Sequence, residues 1–267
     1  MEQLIVIKIG GNIIDDDQKL ASFIKSFSAV PGKKILIHGG GKLATKLAEQ
    51  LSVEQQMVDG RRITDAETLK IVTMVYAGYV NKNIVAQLQA NHCNAIGLSG
   101  ADANLIPAVK RPLKNGIDYG FVGDVVAAPS VANWQLLLDN NFIPVIAPIT
   151  HNNEGQLLNT NADTIAQEIA KALSNIYDVQ LIYSFEKSGV LMDADDEYSV
   201  IKNIGKQYYQ ELKEQKIIFA GMIPKLDNAF EALDCGVKKV IIGHAAALNE
   251  LITGTAGTAI THDGHNE

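Results

Sequence analysis

Two short runs of mostly β-branched residues, Leu4–Ile9 and Lys34–His38, each end directly in glycines, Gly10-Gly11 and Gly39-Gly40-Gly41. Between them Leu20, Phe23, Ile24 and Phe27 recur at the spacings of one helix face. A nearly continuous apolar run suits a strand buried on both sides, as in a parallel sheet, and parallel neighbours need a crossover of helix length. The unit is therefore βαβ. Leu43, Leu47 and Leu51 at i, i+4 and i+8 predict a helix after the second glycines, and two helical stretches fill about 65–91. A strand at Asn94–Leu98, helix 131–140, strand 142–147, a turn at Asn153-Glu154-Gly155, helix 161–173 and strand 178–183 carry the alternation on. Helices at 205–215 and 223–235 and a strand at Lys239–Gly243 complete it. Strands alternating with helices predict an α/β fold, an open, mostly parallel central sheet with helices on both faces, or αβα sandwich. Ligands of such sheets bind beyond the carboxyl ends of the strands.

Residues 107–128 differ, with alternating segments on either side of Lys114-Asn115-Gly116, and an Asn-Gly dipeptide in that setting predicts a β-hairpin. No Pro/Ser-rich linker or internal repeat divides the 267 residues, so two lobes sharing one continuous sheet are expected, 1–175 and 176–267. A content of 47% hydrophobic and 20% charged residues suffices for a sizeable core, and a net charge of −7 argues against a nucleic-acid partner. Cys93 and Cys235 match no metal spacing and read as buried or half-buried thiols of a reducing compartment. The start of the chain lacks the pattern of a signal peptide and no run is long enough to span a membrane, so a cytoplasmic protein with no membrane partner is expected.

Several residues break local rules. Lys8 sits near the end of an otherwise apolar strand, where a buried ammonium needs an anion. Gly10-Gly11 permit a tight turn with bare N–H groups, and Gly39-Gly40-Gly41 precede a helix N-terminus that favours an anion. Gly39-x-Gly41-x-x-Ala44, with Asp59 twenty residues on, also fits a relaxed dinucleotide fingerprint. Arg61-Arg62 suit forked binding of a carboxylate. In Asn159-Thr160-Asn161-Ala162-Asp163, Asn161 is placed to cap the following helix, which leaves Asn159 and Asp163 as surplus polar groups. Lys225, after Pro224 in a first helical turn, opposes the helix dipole. Two lysines, two glycine turns and one carboxylate form a constellation for phosphoryl transfer, where catalysis is positioning plus charge neutralisation.

Six stretches together resemble the N-acetyl-L-glutamate kinases of the amino acid kinase superfamily, over residues 4–245. They are Ile7-Lys8-Ile9-Gly10-Gly11, His38-Gly39-Gly40-Gly41, Asp59-Gly60-Arg61-Arg62-Ile63-Thr64, Gly97-Leu98-Ser99-Gly100-x-Asp102, Asn159 to Asp163, and Gly221-Met222-Ile223-Pro224-Lys225. The resemblance implies an enzyme that phosphorylates the side-chain carboxylate of an N-acylated glutamate with ATP, on the route to arginine or ornithine. It implies Lys8 and Lys225 as the groups stabilising the transferring phosphoryl, Asp163 as their organiser, and Gly40, Gly41, Arg62 and Asn159 as substrate contacts. Gly10 and Gly11 would cradle the ATP phosphates through their N–H groups. Glu186, Gly189 and Gly221 would lie along the nucleotide, although Ser184-Phe185-Glu186 departs from the family's usual Thr/Ser-Asp pair. Mg²⁺ would arrive with the nucleotide, with no protein metal site, and the 107–128 hairpin would form part of a lid. The first lobe would take the acylated amino acid and the second the nucleotide.

Arginine-inhibited members carry an added N-terminal helix, for which a strand beginning near residue 4 leaves no room, so the resemblance implies an arginine-insensitive homodimer. Competing expectations are a succinylated substrate, with Lys110 or Arg111 supplying a cation, and a sibling kinase acting on carbamate, aspartate or glutamate. An NAD-dependent oxidoreductase and a non-catalytic amino-acid sensor are the remoter ones.

Overall fold

Side chains of the first strand alternate between two helix layers: Leu4 and Val6 pack into one core, Ile5, Ile7 and Ile9 into the other. The computed structural model describes residues 1–58, 61–113, 116–126, 130–193, 195–218 and 222–262, apart from the side chain of Arg61. Its strands are β1 (Glu2–Ile9), β2 (Lys33–His38), β3 (Met57–Val58), β4 (Arg61–Arg62), β5 (Ala95–Leu98), β6 (Ala108–Lys110) and β7 (Gly123–Val125). Then come β8 (Ile143–Ile146), β9 (Ile149–His151), β10 (Leu157–Asn159), β11 (Tyr177–Phe185), β12 (Asn203–Ile204), β13 (Lys239–His244) and β14 (Thr258–Ile260). Eight of them form one sheet in the order β12-β14-β13-β11-β1-β2-β8-β5. From β13 to β5 every pairing is parallel, while β14 runs antiparallel to β13.

The helices are α1 (Gly11–Ile14), α2 (Asp17–Ala29), α3 (Gly41–Gln50), α4 (Ala66–Thr73), α5 (Asn81–Ala90), α6 (Val131–Asp139), α7 (Ala162–Leu173), α8 (Lys206–Glu214), α9 (Ile223–Asp234) and α10 (Leu248–Thr253). Apolar stripes of α6, α7, α8 and α9, such as Trp134, Ile165, Tyr209 and Leu226, cover the Leu4/Val6 face. Those of α2, α3, α4, α5 and α10, such as Phe23, Ala44, Val72, Leu88 and Leu251, cover the other. The αβα sandwich expected from the alternation is the fold observed. Among the described residues no helix is long and apolar enough to cross a membrane.

Three expectations need correction. In α3 the buried positions are Ala44 and Ala48, at 0% exposure, while Leu51 is 54% exposed. Small side chains let this helix approach the sheet closely, and Leu43 and Leu47 pack at the margin of the core instead. The two helices of 65–91 are one run, joined by a π segment, Met74–Val80. The expected hairpin is present but its ladder is short: Ala108–Lys110 pairs antiparallel with Gly123–Val125, Arg111 N donates to Val122 O at 2.7 Å, and the expected turn residues Lys114 and Asn115 lie outside the described residues. The segment leading into β7 also pairs with Thr64, whose N–H donates to Tyr119 O at 2.9 Å and whose carbonyl accepts from Phe121 N at 2.7 Å. Cys93 is buried as expected, but Cys235 is exposed at the end of α9.

Candidate active site

Period-2 alternation in β1 sends Lys8 to the same face as Leu4 and Val6, the face covered by α7 and α9. Both helices begin at the carboxyl edge of the sheet, where β1 ends, so Lys8 meets their first turns. Asn161 caps α7, its Oδ1 accepting from Asp163 N at 2.8 Å and Thr164 N at 3.2 Å. That cap fixes the first turn and with it Asp163, whose two oxygens receive one ammonium group each. Lys8 Nζ lies 2.7 Å from Oδ1, and Lys225 Nζ donates to Oδ2 at 2.5 Å. The side chains of Lys8, Asp163 and Lys225 are 13%, 16% and 21% exposed, so the bridge is sheltered but open on one side. Burial by itself raises the Asp163 pKa, but the Coulombic pull of Lys8 and then Lys225 outweighs it and holds the carboxyl far below the usual range. Tyr183, beside Lys8 in the register of β11, donates its hydroxyl to Asp163 O at 3.3 Å.

Two glycine turns lie side by side at the same strand ends. Gly10 and Gly11 follow β1, Gly39 to Gly41 follow β2, and a Cβ on Gly39 would come within 3.9 Å of Gly11 N. Lys42 ties the turns together by donating to Asn12 Oδ1. Gly10 is not a free donor, because its N–H is bonded to Ser184 O at 3.0 Å and continues the β1–β11 ladder. Gly11 opens α1, where the leading N–H groups have no partner within the helix. Gly40 adopts φ +149°, and a Cβ there would stand 3.0 Å from the Tyr76 ring, so backbone conformation and space both demand glycine.

Gly40, Gly41, Arg62 and Asn159 line one cavity of about 240 Å³, together with Tyr76 and Arg111. Arg62 Nη2 donates to Gly41 O at 3.1 Å and Thr45 Oγ1 at 2.9 Å, and its Nη1 donates to Gln55 Oε1. Asn159 Nδ2 donates to Thr64 Oγ1 at 3.0 Å. Arg111 is held by Asp124, its Nε donating at 2.9 Å and its Nη2 at 2.6 Å to Oδ1. Lys110, by contrast, pairs with Asp118 on the exposed side of the excursion. The π segment brings in Tyr76, which sequence reasoning missed because an aromatic in a helical stripe is ordinarily core. Thr64 closes the Asp59–Thr64 stretch, but nothing local marks its partners, and contacts distant in sequence define its place as they do that of Tyr76.

Glu186 lies exposed just past β11, at the edge where β1 ends. Gly189 is buried, and a Cβ there would meet Thr258 Oγ1 and Val200 Cγ1 at 2.7 Å, a packing requirement sufficient to explain the glycine. Gly221, like Asp59, lies outside the described residues. The dinucleotide fingerprint loses its context as well. After α3 the chain enters the separate β3–β4 ribbon and rejoins the sheet only at β5, past α4 and α5, so no parallel strand directly follows α3 as such a motif requires. The site therefore presents two ammonium groups, held apart by one carboxylate, beside glycine turns and a cavity with two guanidinium groups. This is a charge distribution for transferring an anionic group to an anionic acceptor.

A family profile described as the amino acid kinase family matches residues 3–244. The acetylglutamate kinase of Cytophaga hutchinsonii is 56% identical over 262 residues, covering 97% of this chain and 99% of its own length. A solved structure from Streptococcus mutans UA159 has a TM-score of 0.79 at 31% identity, with 97% of this chain and 99% of that one covered. The N-acetylglutamate synthase of Neisseria gonorrhoeae has a TM-score of 0.83 at 22% identity, with 98% of this chain and 60% of that one covered, and shares the fold.

Proposed function

The chain belongs to the amino acid kinase family, and from that premise we propose that it transfers the γ-phosphoryl group of ATP to the side-chain carboxylate of N-acetyl-L-glutamate. The observation that carries this reading is the Lys8–Asp163–Lys225 bridge, whose carboxylate follows directly on Asn161 and Ala162 in the lining of the arginine-bearing cavity. A carboxylate oxygen attacks the γ-phosphorus, the bond from that phosphorus to the β,γ-bridging oxygen breaks, and ADP and an acyl phosphate result. The acceptor is already an anion, so no general base is required. Lys8 and Lys225 offset the charge that spreads over the phosphoryl oxygens, and Asp163 keeps the two cations apart and aimed. Gly11 and Gly40 offer N–H groups from opposite turns, while Arg62 and Asn159 orient the acylated amino acid. Residues 1–175 then form the lobe for that substrate, and residues 176–267 the lobe for the nucleotide, with Glu186 near it.

Among the described residues no group of three or more His, Cys, Asp or Glu could hold a metal ion, and the Asp163 carboxylate is engaged by two lysines. These residues fit a Mg²⁺ carried in by ATP on phosphate oxygens and water. The ion would supply charge neutralisation on the leaving diphosphate.

Hydroxylamine trapping tests the reaction: with ATP and Mg²⁺ the protein is expected to form a hydroxamate from N-acetylglutamate and none from free glutamate. Folded protein giving no hydroxamate would sink the proposal. In the same assay Arg62→Ala is expected to raise KM for the acylated amino acid by about 10–100-fold, the equivalent of one charge-assisted bidentate contact, with a smaller change in kcat. An unchanged KM would remove Arg62 from the substrate site. Arg111 supports a second reading, in which the acyl group carries its own carboxylate, because a second guanidinium lines the cavity beside Arg62. N-succinylglutamate run alongside decides it: a higher kcat/KM than for N-acetylglutamate selects that substrate, and a lower one rejects it.

The protein is further read as a cytoplasmic, arginine-insensitive homodimer. Met74 and Tyr79 on the π segment, 54% and 66% exposed, offer apolar surface for such a contact. Gel filtration is expected to give twice the mass of 28.8 kDa, and a monomer or hexamer would refute this.

A further inference from the structure

His38 ends β2 directly below the triglycine turn and is fully buried, on the Leu36 face that packs toward α5. The transfer reading gives it no role. Its neighbours nevertheless leave only one arrangement of protons. The Val145 carbonyl can only accept, and it receives Asn81 Nδ2 at 2.9 Å. The Lys82 ammonium can only donate, and it donates to Asn81 Oδ1 at 3.1 Å and Gly97 O at 2.8 Å. Those two contacts fix which end of the Asn81 amide is nitrogen. Asn81 Nδ2 also faces His38 Nε2 at 3.1 Å, so Nε2 must be the bare, accepting nitrogen. On the other side of the ring His38 Nδ1 lies 2.8 Å from Gly39 O, an obligate acceptor, so Nδ1 must carry the hydrogen. Burial pushes the imidazole down to about 4, with the Gly39 bond opposing and Lys82 adding to the shift, which keeps the ring neutral near pH 7.

The consequence lies one peptide further on. In a trans peptide the carbonyl and the N–H point to opposite sides, so holding the Gly39 carbonyl down toward His38 turns the Gly40 N–H away from the core. Gly40 lines the cavity, and among the described residues its N–H makes no backbone hydrogen bond. Gly40, at φ +149°, has no side chain to fix the peptide before it, so the bond from His38 to the Gly39 carbonyl restrains that peptide.

We propose that His38 is a positioning residue for the transfer: as the neutral Nδ1–H tautomer it holds the Gly39 carbonyl and thereby aims the Gly40 N–H at the transferring group. Asn81, pinned by Val145 and Lys82, selects the tautomer. The inference rests on the phosphoryl-transfer reading of the same site, and its test separates the two.

Nitrogen-15 spectra of histidine-labelled protein, without substrate, read the tautomer directly, the His38 signals being those missing from His38→Asn. The Nδ1–H form is expected, whereas the Nε2–H form or an imidazolium at pH 7 would overturn the proposal. Kinetics supply the second arm. Asparagine places an amide N–H about where Nδ1 stands and glutamine about where Nε2 stands. His38→Gln is therefore expected to lower kcat at least about tenfold with KM for both substrates within about threefold, and His38→Asn to recover most of that loss. A His38→Gln variant with wild-type kcat, or equal losses in both variants that track their melting temperatures, would reduce His38 to a core residue. Should one variant not fold, the His38 signals are assigned by their absence from the other, and the tautomer measurement still decides. Wild-type protein that makes no acyl phosphate sinks the transfer reading alone, since the tautomer is read without any reaction.

Discussion

Lys8→Ala and Lys225→Ala are each expected to lower kcat by about 10²–10³-fold, the cost of removing one preorganised charge donor from a transition state. KM for ATP and for the acylated amino acid is expected to change far less. Each lysine is 2.7 Å or less from Asp163, which holds both ammonium groups in place. The attraction of ammonium groups so held grows as charge moves onto the oxygens of the group in transit. A lysine that only bound ATP would show the opposite pattern, a raised KM with kcat preserved. Arginine is expected not to rescue either position, because its broad fork does not fit where a single nitrogen meets one oxygen of Asp163. The double variant should lose less than the product of the two single losses, since the lysines act through a common carboxylate. Steady-state kinetics of the four proteins check this, and Lys225→Ala with near-normal turnover would remove the mechanism.

The residues legible in the sequence are those that violate a local rule. Lys8 stands out because an ammonium in an apolar strand has a cost that something must offset, and Lys225 because it opposes a helix dipole. The glycine turns are visible because three consecutive glycines exceed what a turn needs. The layered fold follows from the same local patterns, strands of period two alternating with helix stripes. What could not be read is set by partners far along the chain. Thr64 reaches Asn159 and the backbone of Tyr119 and Phe121, and His38 reaches Asn81; nothing near either residue announces those contacts. The choice of Ala44 and Ala48 over Leu43 and Leu47 for the buried face of α3 is likewise a matter of interlayer distance, which helix periodicity does not encode. Short edge elements, β12, β14 and the β9–β10 pair, are two or three residues long and carry too few positions for a pattern. Gly10 illustrates the converse: its glycine identity stands out in the sequence, yet its N–H belongs to the sheet.

Asp163→Asn separates the structural from the catalytic side of the same bridge. Asparagine keeps the shape but leaves two ammonium groups facing a neutral amide, one of whose ends is a donor. Removing one partner of a buried ion pair costs about 3–5 kcal/mol, and the 13–21% exposure of these side chains brings the expected loss of stability down to about 2–3 kcal/mol. The pH dependence fixes the sign. The carboxyl ionises near pH 4 in the unfolded chain and well below that in the fold, because the two lysines outweigh its burial. Above about pH 4 both states are ionised and the contribution is complete. As pH falls further the unfolded chain takes up a proton that the folded chain refuses, and the stabilisation is lost. Urea unfolding is therefore expected to show a wide gap between wild type and Asp163→Asn at pH 7 that narrows below about pH 4. The variant is also expected to lose kcat about 10²-fold even where it is fully folded, since the lysines are no longer aimed. A stability gap unchanged between pH 7 and pH 3 would mean that Asp163 is not held ionised by the lysines. A folded variant with wild-type kcat would mean that their separation does not matter to the transfer.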